Sequence, residues 1–292
     1  MWAIEIVDLH KTYRGKKFKR VEALKGLNLC VPTGEVFGFL GPNGAGKSTT
    51  IKAIMGLIYP TSGTVKLAGL CSDDAKARAS VGYLPENPVF FDYLTGDEYL
   101  GFVGTTYRMK STELQRRKQQ VLERLDLWSA RKRPVRGYSK GMVQRLGLAQ
   151  ALLHDPDIYI LDEPMSGLDP VGRALVKDII LELRQRKKTV FFSTHITADV
   201  ELLCDRIAVL DRGCLMTSCR VDEIVTGSAS SDEYRVRFSE HGSNTVAEEH
   251  VAASHLSAWI ASAQDEQRVI ISIAAKRQTL EDFFLQTVNH NG

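Results

Sequence analysis

The stretch GPNGAGKST at residues 41–49 decides the fold of this chain of 292 residues. Its members are Gly41, Pro42, Asn43, Gly44, Ala45, Gly46, Lys47, Ser48 and Thr49. The apolar run Val36 to Leu40 before it predicts a buried strand, and the pattern after it predicts a helix to about Leu57. Where a glycine loop joins a strand to a helix, backbone N–H groups converge on phosphate oxygens and the helix dipole favours negative charge. The spacing therefore predicts a phosphate-binding loop rather than an ordinary glycine-rich turn.

Three side chains at the end of this loop suit a nucleoside triphosphate with its magnesium ion. Lys47 is placed to reach the β- and γ-phosphates, Ser48 has the hydroxyl expected on Mg²⁺, and Thr49 is placed to touch the α-phosphate. The sequence shows no internal repeat, so we expect one nucleotide site per chain.

The composition narrows the class of protein. With 43% hydrophobic and 25% charged residues, the chain suits one large or two modest globular domains. Its net charge of +3 is too mild to indicate nucleic acid as the main partner. The five cysteines are scattered without C-x-x-C spacing, which favours a reducing cytosol over a zinc site. Charged residues interrupt every apolar stretch, so we expect no membrane-spanning segment.

The order of apolar patterns predicts an α/β core with a helical insertion. Two early strands, Ile4–Leu9 and Leu27–Val31, favour an antiparallel start, and helical periods dominate from Thr95 to Leu153. We therefore expect a helical subdomain at about 87–153, inserted into a nucleotide-binding domain of residues 1–220. Strands and helices then alternate, which implies a parallel sheet. From 221 to 292 two further strands and a final helix at Leu280 to Val288 predict a small α+β accessory domain.

Two carboxylates follow a second apolar strand, Ile158 to Leu161. Asp162 and Glu163 would be costly to bury unless they met a cation or a reacting water. Asp162 could hold Mg²⁺ through water, and Glu163 could polarise the attacking water as a general base. Such a pair is weak support for a site by itself, since a structural role is equally common, but it becomes strong in a chain with a phosphate loop.

A second predicted helix start lies after Tyr138. Ser139 and the backbone around Gly141 precede a helix that we expect to begin near Met142, where the N-terminus favours anions. A serine at this place is also a common helix cap, so a purely structural role carries similar weight.

These residues resemble the motifs of ATP-binding subunits of bacterial ABC transporters, over roughly residues 1 to 220. The loop and the carboxylate pair match the Walker A and Walker B motifs, and Ser139 with Gly141 matches the signature motif. In the family's order, Asp169 in Ser166-Gly167-Leu168-Asp169 looks like the D-loop, and His195 looks like the switch histidine that contacts the γ-phosphate. Tyr13 resembles the aromatic residue that stacks on adenine, with an ordinary exposed tyrosine as the alternative.

Two positions depart from the family pattern. Glu86 stands where the Q-loop usually carries glutamine, so it adds negative charge beside Glu163, although a carboxylate can still approach Mg²⁺ or the lytic water. Lys140 and Met142 replace a glycine and a glutamine in the signature motif. Both variants resemble single-domain exporter ATPases of the type-2 ABC class.

The resemblance implies a mechanism that needs more than one chain. Two ATPase domains close head to tail around ATP, so we expect a homodimer that hydrolyses ATP with Glu163, His195 and Lys47. It would power export through separate membrane permease subunits, at the cytoplasmic face of the membrane. The alternatives are a soluble ABC ATPase that remodels nucleic acid or ribosomes, and a small P-loop kinase. The first usually has two ATPase domains, coiled coils or zinc insertions, and the second lacks signature and D-loop motifs.

Overall fold

The computed structural model describes residues 1–14, 20–227, 233–239, 246–266, 268–275 and 280–289. The strands are β1 (Trp2–Arg14), β2 (Arg20–Pro32), β3 (Val36–Leu40), β4 (Ser62–Leu67), β5 (Leu70–Cys71), β6 (Val81–Leu84), β7 (Ile158–Asp162), β8 (Thr189–Thr194), β9 (Arg206–Asp211), β10 (Cys214–Arg220), β11 (Glu233–Ser239), β12 (Val246–Ala252) and β13 (Val269–Ala275). The helices are α1 (Lys47–Ile54), α2 (Ala75–Ala79), α3 (Gly96–Thr106), α4 (Ser111–Arg124), α5 (Lys140–Leu152), α6 (Pro170–Gln185), α7 (Thr197–Leu203), α8 (Val221–Gly227), α9 (Leu256–Asp265) and α10 (Leu280–Asn289). The chain divides into two compact units, Met1–Ser218 and Cys219–Gly292, which are described separately below.

The first unit contains an antiparallel sheet of four strands in the order β2-β1-β4-β5. Strands β1 and β2 pair along almost their whole length, and β1 also pairs with β4. Both early strands are thus longer than predicted. The alternating pattern weakens toward the far end of the hairpin, where Lys11, Arg14 and Arg20 break it, while backbone pairing continues.

The second sheet of this unit positions the site. Its order is β10-β9-β3-β8-β7-β6, and the parallel pairing of β3, β6, β7, β8 and β9 confirms the predicted parallel sheet. Leu40 pairs with Thr194, and Asp162 pairs with Ser193, so these three strands end at one edge of the sheet. The loops that follow them therefore meet there. Helix α1 contacts β2, β4 and β7, and a buried apolar core joins it to both sheets.

The helical subdomain is formed by α3, α4 and α5, which contact one another. Helix α3 begins with a capping box of Thr95 and Glu98, and α5 begins at Lys140 because the Ser139 side chain caps it. That start is two residues earlier than predicted, and α1 ends at Ile54 rather than near Leu57. Among the described residues no helix is long and apolar enough to cross a membrane.

The second unit is an α+β structure built on a three-stranded antiparallel sheet of order β12-β11-β13. Val236 and Phe238 of β11 are buried, and the Phe238 ring meets the Trp259 ring of α9 edge-on with centroids 5.3 Å apart. Two of its strands and its last helix were predicted. Strand β12 was not predicted, because Glu248, Glu249 and His250 interrupt its apolar residues, and neither were helices α8 and α9.

Candidate functional site

The loop at 41–49 wraps closely around the end of β3. A Cβ atom on Gly41 would lie 2.3 Å from the backbone oxygen of Leu210, so only glycine fits there. Gly46, with φ of 111°, stands immediately before α1 in the left-handed region that favours glycine. The glycines thus allow the backbone to turn from β3 into the N-terminus of α1, the arrangement that exposes N–H groups to an anion.

The Lys47 ammonium is held inside this loop. Its Nζ donates to the Gly41 oxygen at 2.6 Å and to the Pro42 oxygen at 3.3 Å, and it lies 3.5 Å from Oε1 of Glu163. The side chain is 6% exposed. A buried ammonium that is shared between carbonyls and one carboxylate is a cation ready to exchange these partners for phosphate oxygens.

Asp162 sits at the end of β7 within reach of two hydroxyls. The Ser193 Oγ donates to Asp162 Oδ1 at 2.6 Å, and the Ser48 Oγ does so at 3.4 Å. Burial raises the pKa of Asp162, and the charge of Glu163 adds to this, whereas the two hydroxyls and the Lys47 ammonium oppose it. The charged form of Asp162 therefore lacks sufficient compensation within the chain alone, and a cation beside it would stabilise that form.

Glu163 is held between two side chains at the same sheet edge. His195 Nδ1 lies 3.1 Å from Glu163 Oε2 and 3.2 Å from Oε1, the oxygen that Lys47 also approaches, and the Glu163 side chain is 12% exposed. The Glu163 backbone N–H donates to Ser193 Oγ at 2.9 Å. Glu163 also has a φ of 47°, which is rare for a residue with a side chain and marks a locally strained backbone.

A cavity of about 410 Å³ opens over these groups. It is lined by Ala23, Pro42, Asn43, Gly44, Gly46, Lys47, Ser48, Thr49, Glu86, Glu163, Ser166 and His195. The structure thus brings together most of the phosphate loop with Glu163, His195 and Glu86. Tyr13 is not among the lining residues: its ring is partly exposed, and the Lys11 ammonium lies 5.1 Å from the ring centroid.

Ser139, Gly141 and Asp169 also stand outside this cavity lining. Ser139 accepts a hydrogen bond from the Met142 N–H at 3.2 Å, and Asp169 accepts one from the Gly172 N–H at 2.9 Å, so each side chain caps a helix. The Lys140 side chain lies against Gly167, where a Cβ atom would meet Lys140 Cε at 2.7 Å. The start of α5 and the Ser166–Asp169 segment are therefore adjacent in the chain's own fold.

Three residues of the candidate site were not predicted to belong to it from the sequence. Ser193 joins Asp162 to the Glu163 backbone, yet a serine that ends a strand is common, and only the β7–β8 pairing shows its position. Ala23 reaches the cavity through the β1–β2 hairpin, and Ser166 through the turn after β7. Pairing between distant segments places Ser193 and Ala23, whereas Ser166 is placed locally, by a turn in which its N–H donates to the Glu163 oxygen at 3.0 Å.

Comparisons with known proteins agree with this geometry. The family model described as ABC transporter matches residues 24–166. An uncharacterized ABC transporter ATP-binding protein of Synechocystis sp. is 40% identical, over 99% of this chain and 85% of that protein. The linearmycin resistance ATP-binding protein LnrL of Bacillus subtilis is 36% identical, over 72% of this chain and 67% of that protein. A dimeric ATP-binding cassette in a post-hydrolysis state with ADP and Pi has a TM-score of 0.69 at 26% identity, over 75% of this chain and 98% of that one. The chain therefore belongs to the family of ABC transporter ATP-binding proteins, and it is an ATPase subunit of that family.

Proposed function

We propose that this ATPase subunit binds Mg·ATP in the cavity, dimerises on it, and powers export of a substrate through separate membrane permease subunits. The observation that carries the proposal is the Glu163 carboxylate, which stands between Lys47 and His195 on the cavity wall. A partly buried carboxylate that is oriented by two neighbouring side chains is better suited to act as a general base than to form a purely structural ion pair.

ATP binding follows from the loop. The Lys47 ammonium leaves the Gly41 and Pro42 oxygens and binds the β- and γ-phosphates, while N–H groups at the start of α1 donate hydrogen bonds to the remaining phosphate oxygens. Thr49, on the cavity wall, suits the α-phosphate. We assign adenine stacking to Tyr13, whose strand pairs with the strand that carries Ala23.

The donor set fits a magnesium ion. The Ser48 hydroxyl and the Asp162 carboxylate lie 3.4 Å apart and present the oxygen donors that Mg²⁺ prefers. Burial raises the pKa of Asp162, so a cation would favour its charged form. Ser48, and Asp162 through water, would hold the ion, with Glu86 at the cavity rim as a further oxygen donor. When bound, Mg²⁺ supplies charge neutralisation at the phosphates.

Hydrolysis then rests on three side chains. Glu163 accepts a proton from the attacking water. His195, 3.1 Å from the Glu163 carboxylate, orients that carboxylate and reaches toward the γ-phosphate. Lys47 balances the negative charge that develops on the phosphate oxygens. Ser193 fixes the backbone at Glu163 through its hydrogen bond.

A second copy of the chain would complete the site. Ser139 and Gly141 at the start of α5, and Asp169 before α6, lie outside the cavity of their own chain. We assign these residues to the ATP in the opposite copy. The dimeric state of the related cassette with ADP and Pi supports this assignment.

Exposed apolar side chains before and within α3 support a membrane partner. Phe91, Tyr93 and Phe102 are exposed, and the Phe91 ring lies 6.0 Å from Tyr93 and 6.3 Å from Phe102 between centroids. An exposed aromatic cluster of this kind is typical of a protein interface. We assign it to the permease at the cytoplasmic face of the membrane, and the name of the linearmycin resistance relative supports the outward direction.

The variant Glu163→Gln tests the mechanism. It keeps the shape of the side chain but cannot accept the proton, so we expect ATP binding to persist, steady-state hydrolysis to fall by about 100-fold or more, and a dimer to accumulate in ATP. Phosphate release, nucleotide titration and sedimentation measure the three quantities. Glu123→Gln, an exposed carboxylate on α4, is the matched control and should change none of them. Turnover at the wild-type rate by Glu163→Gln would exclude Glu163 as the base.

A further inference from the structure

Four basic residues lie close together in the segment that leads to α5. They are Arg131, Lys132, Arg133 and Arg136, and no acidic residue stands among them. Lys132, Arg133 and Arg136 are exposed, and Arg131 is half-buried. ATP binding and hydrolysis as proposed above use none of the four. We call these four residues the basic strip.

The basic strip is fixed beside the segment that enters α3. Three backbone hydrogen bonds join the two segments: Val135 N–H to the Leu94 oxygen at 2.8 Å, Arg136 N–H to the Asp92 oxygen at 2.9 Å, and Asp97 N–H to the Arg131 oxygen at 3.0 Å. Thr95 and Pro134 also form an isolated β-bridge. Because Asp92 stands between Phe91 and Tyr93 in the chain, the basic strip lies next to the exposed aromatic cluster.

Two guanidinium groups of the strip are held against aromatic rings. The Arg131 Cζ lies 3.7 Å from the centroid of the Trp128 ring, and the Arg133 Cζ lies 5.3 Å from that of Tyr138. Arg131 Nη1 also donates to the Trp128 oxygen at 2.8 Å, and Arg133 Nη2 donates to Met142 Sδ at 3.1 Å. These contacts fix the positions of two positive charges without neutralising them, because none of the partners is charged.

The carboxylates of the adjoining segment leave the strip positively charged. Asp97 pairs with the Lys118 ammonium at 2.8 Å, and Glu98 accepts from the Thr95 N–H at 2.9 Å in the capping box of α3. Among the described residues no member of the basic strip forms an ion pair with a carboxylate. Asp92 is the remaining carboxylate of this segment, so the surface presents four cations against one anion.

We infer that the basic strip binds the headgroups of anionic phospholipids in the membrane around the permease. Anionic leaflets attract clusters of four or more basic residues, and aromatic side chains favour the interface between headgroups and acyl chains. Val89, Phe91 and Tyr93 are 88%, 52% and 67% exposed, and such apolar side chains suit a membrane interface better than a nucleic acid. The orientation toward the membrane rests on the proposed function, which assigns the aromatic cluster to the permease.

Co-sedimentation of the full chain with lipid vesicles, without nucleotide, tests the inference. We expect the wild type to bind vesicles that contain phosphatidylglycerol in phosphatidylcholine, to bind pure phosphatidylcholine poorly, and to dissociate as salt is raised. Lys132→Gln combined with Arg136→Gln should lower the partition coefficient roughly 30-fold, since each cation near an anionic surface contributes a factor of about five. Neither side chain has an ion pair or a hydrogen bond among the described residues, so we expect this variant to fold.

The matched control is Lys76→Gln combined with Lys187→Gln. Both lysines are exposed residues of the first unit, one on α2 and one after α6, so the control removes the same charge elsewhere and should bind vesicles like the wild type. Equal losses in the two double variants, no binding by the wild type, or equal binding to both kinds of vesicle would overturn the inference. Binding of polyglutamate without binding of vesicles would assign the strip to an acidic protein segment and overturn it as well.

Energy transfer to dye-labelled headgroups tests which surface meets the membrane. In a chain whose cysteines other than the buried Cys204 are changed to serine, a fluorophore on Ser129→Cys stands beside the strip and leaves all four cations in place. We expect stronger transfer from this position than from Lys187→Cys at the same bound fraction, and equal transfer would contradict contact through the strip. Both vesicle measurements omit nucleotide and permease, so their outcome is separate from the Glu163→Gln result.

Discussion

At the scale of single residues, two glycines of the phosphate loop are required for different physical reasons. Gly41 has no room for a side chain, since a Cβ atom would lie 2.3 Å from the Leu210 backbone oxygen. Gly44 has open space around it, but its φ of 83° lies in the left-handed region. The motif spacing identifies the loop, yet only the packing of β9 beside β3 shows that Gly41 has no room for a side chain.

Substitution of the two glycines by alanine should separate these causes. We expect Gly44→Ala to lower the free energy of unfolding by about 1 kcal/mol, the cost of a left-handed alanine. Gly41→Ala should cost about 2 kcal/mol or more and weaken ATP binding, because the loop or β9 must move. Urea denaturation and nucleotide titration measure the two effects. Equal losses in both variants would show that steric exclusion by Leu210 is not the deciding factor.

At the scale of elements, strong end signals explain what the sequence could predict. The apolar pattern predicts a helix from Val171 to Arg186, and α6, which Asp169 caps and which begins at Pro170, a preferred first residue, differs from it by one residue at each end. Strand β6 carried no such signal, because a four-residue segment containing Gly82 is too short to show a period. Its position depends on pairing with β7, which is a contact between residues far apart in the chain.

The cap of α5 allows structural and functional roles to be separated. Ser139→Ala removes the hydrogen bond from the Met142 N–H and should cost about 1 kcal/mol of stability. Thr95→Ala removes the corresponding cap of α3 and should cost about the same, so it is the matched control. If Ser139 also contacts ATP in the opposite copy, only Ser139→Ala should lower the hydrolysis rate, by about tenfold or more. Equal turnover in the two variants would leave Ser139 as a cap alone.

At the scale of the whole molecule, the proposed function makes the candidate site one half of a site that a second copy completes. The sequence motifs identified Lys47, Glu163 and His195, and parallel strand ends bring all three to one cavity. The same motifs identified Ser139, but the fold places it at the start of α5 and outside the cavity lining. The motifs alone could not separate residues that line the cavity of their own chain from residues such as Ser139 that lie outside it, because a motif gives residue types and spacing but no distances between segments.

Mixed dimers test this division. A dimer of one Lys47→Ala chain and one Ser139→Ala chain contains one intact site, formed by the loop of the second chain and the α5 start of the first. Co-expressed with different tags and purified through both, it should hydrolyse ATP at roughly half the wild-type rate if the sites act independently, well above either parent. A dimer of Lys47→Ala and Glu163→Gln chains has both defects on the loop side, so neither site is intact and no activity should return. Recovery in this control, or none in the first mixture, would contradict a site that is shared between two copies, because only complementary halves can restore one another.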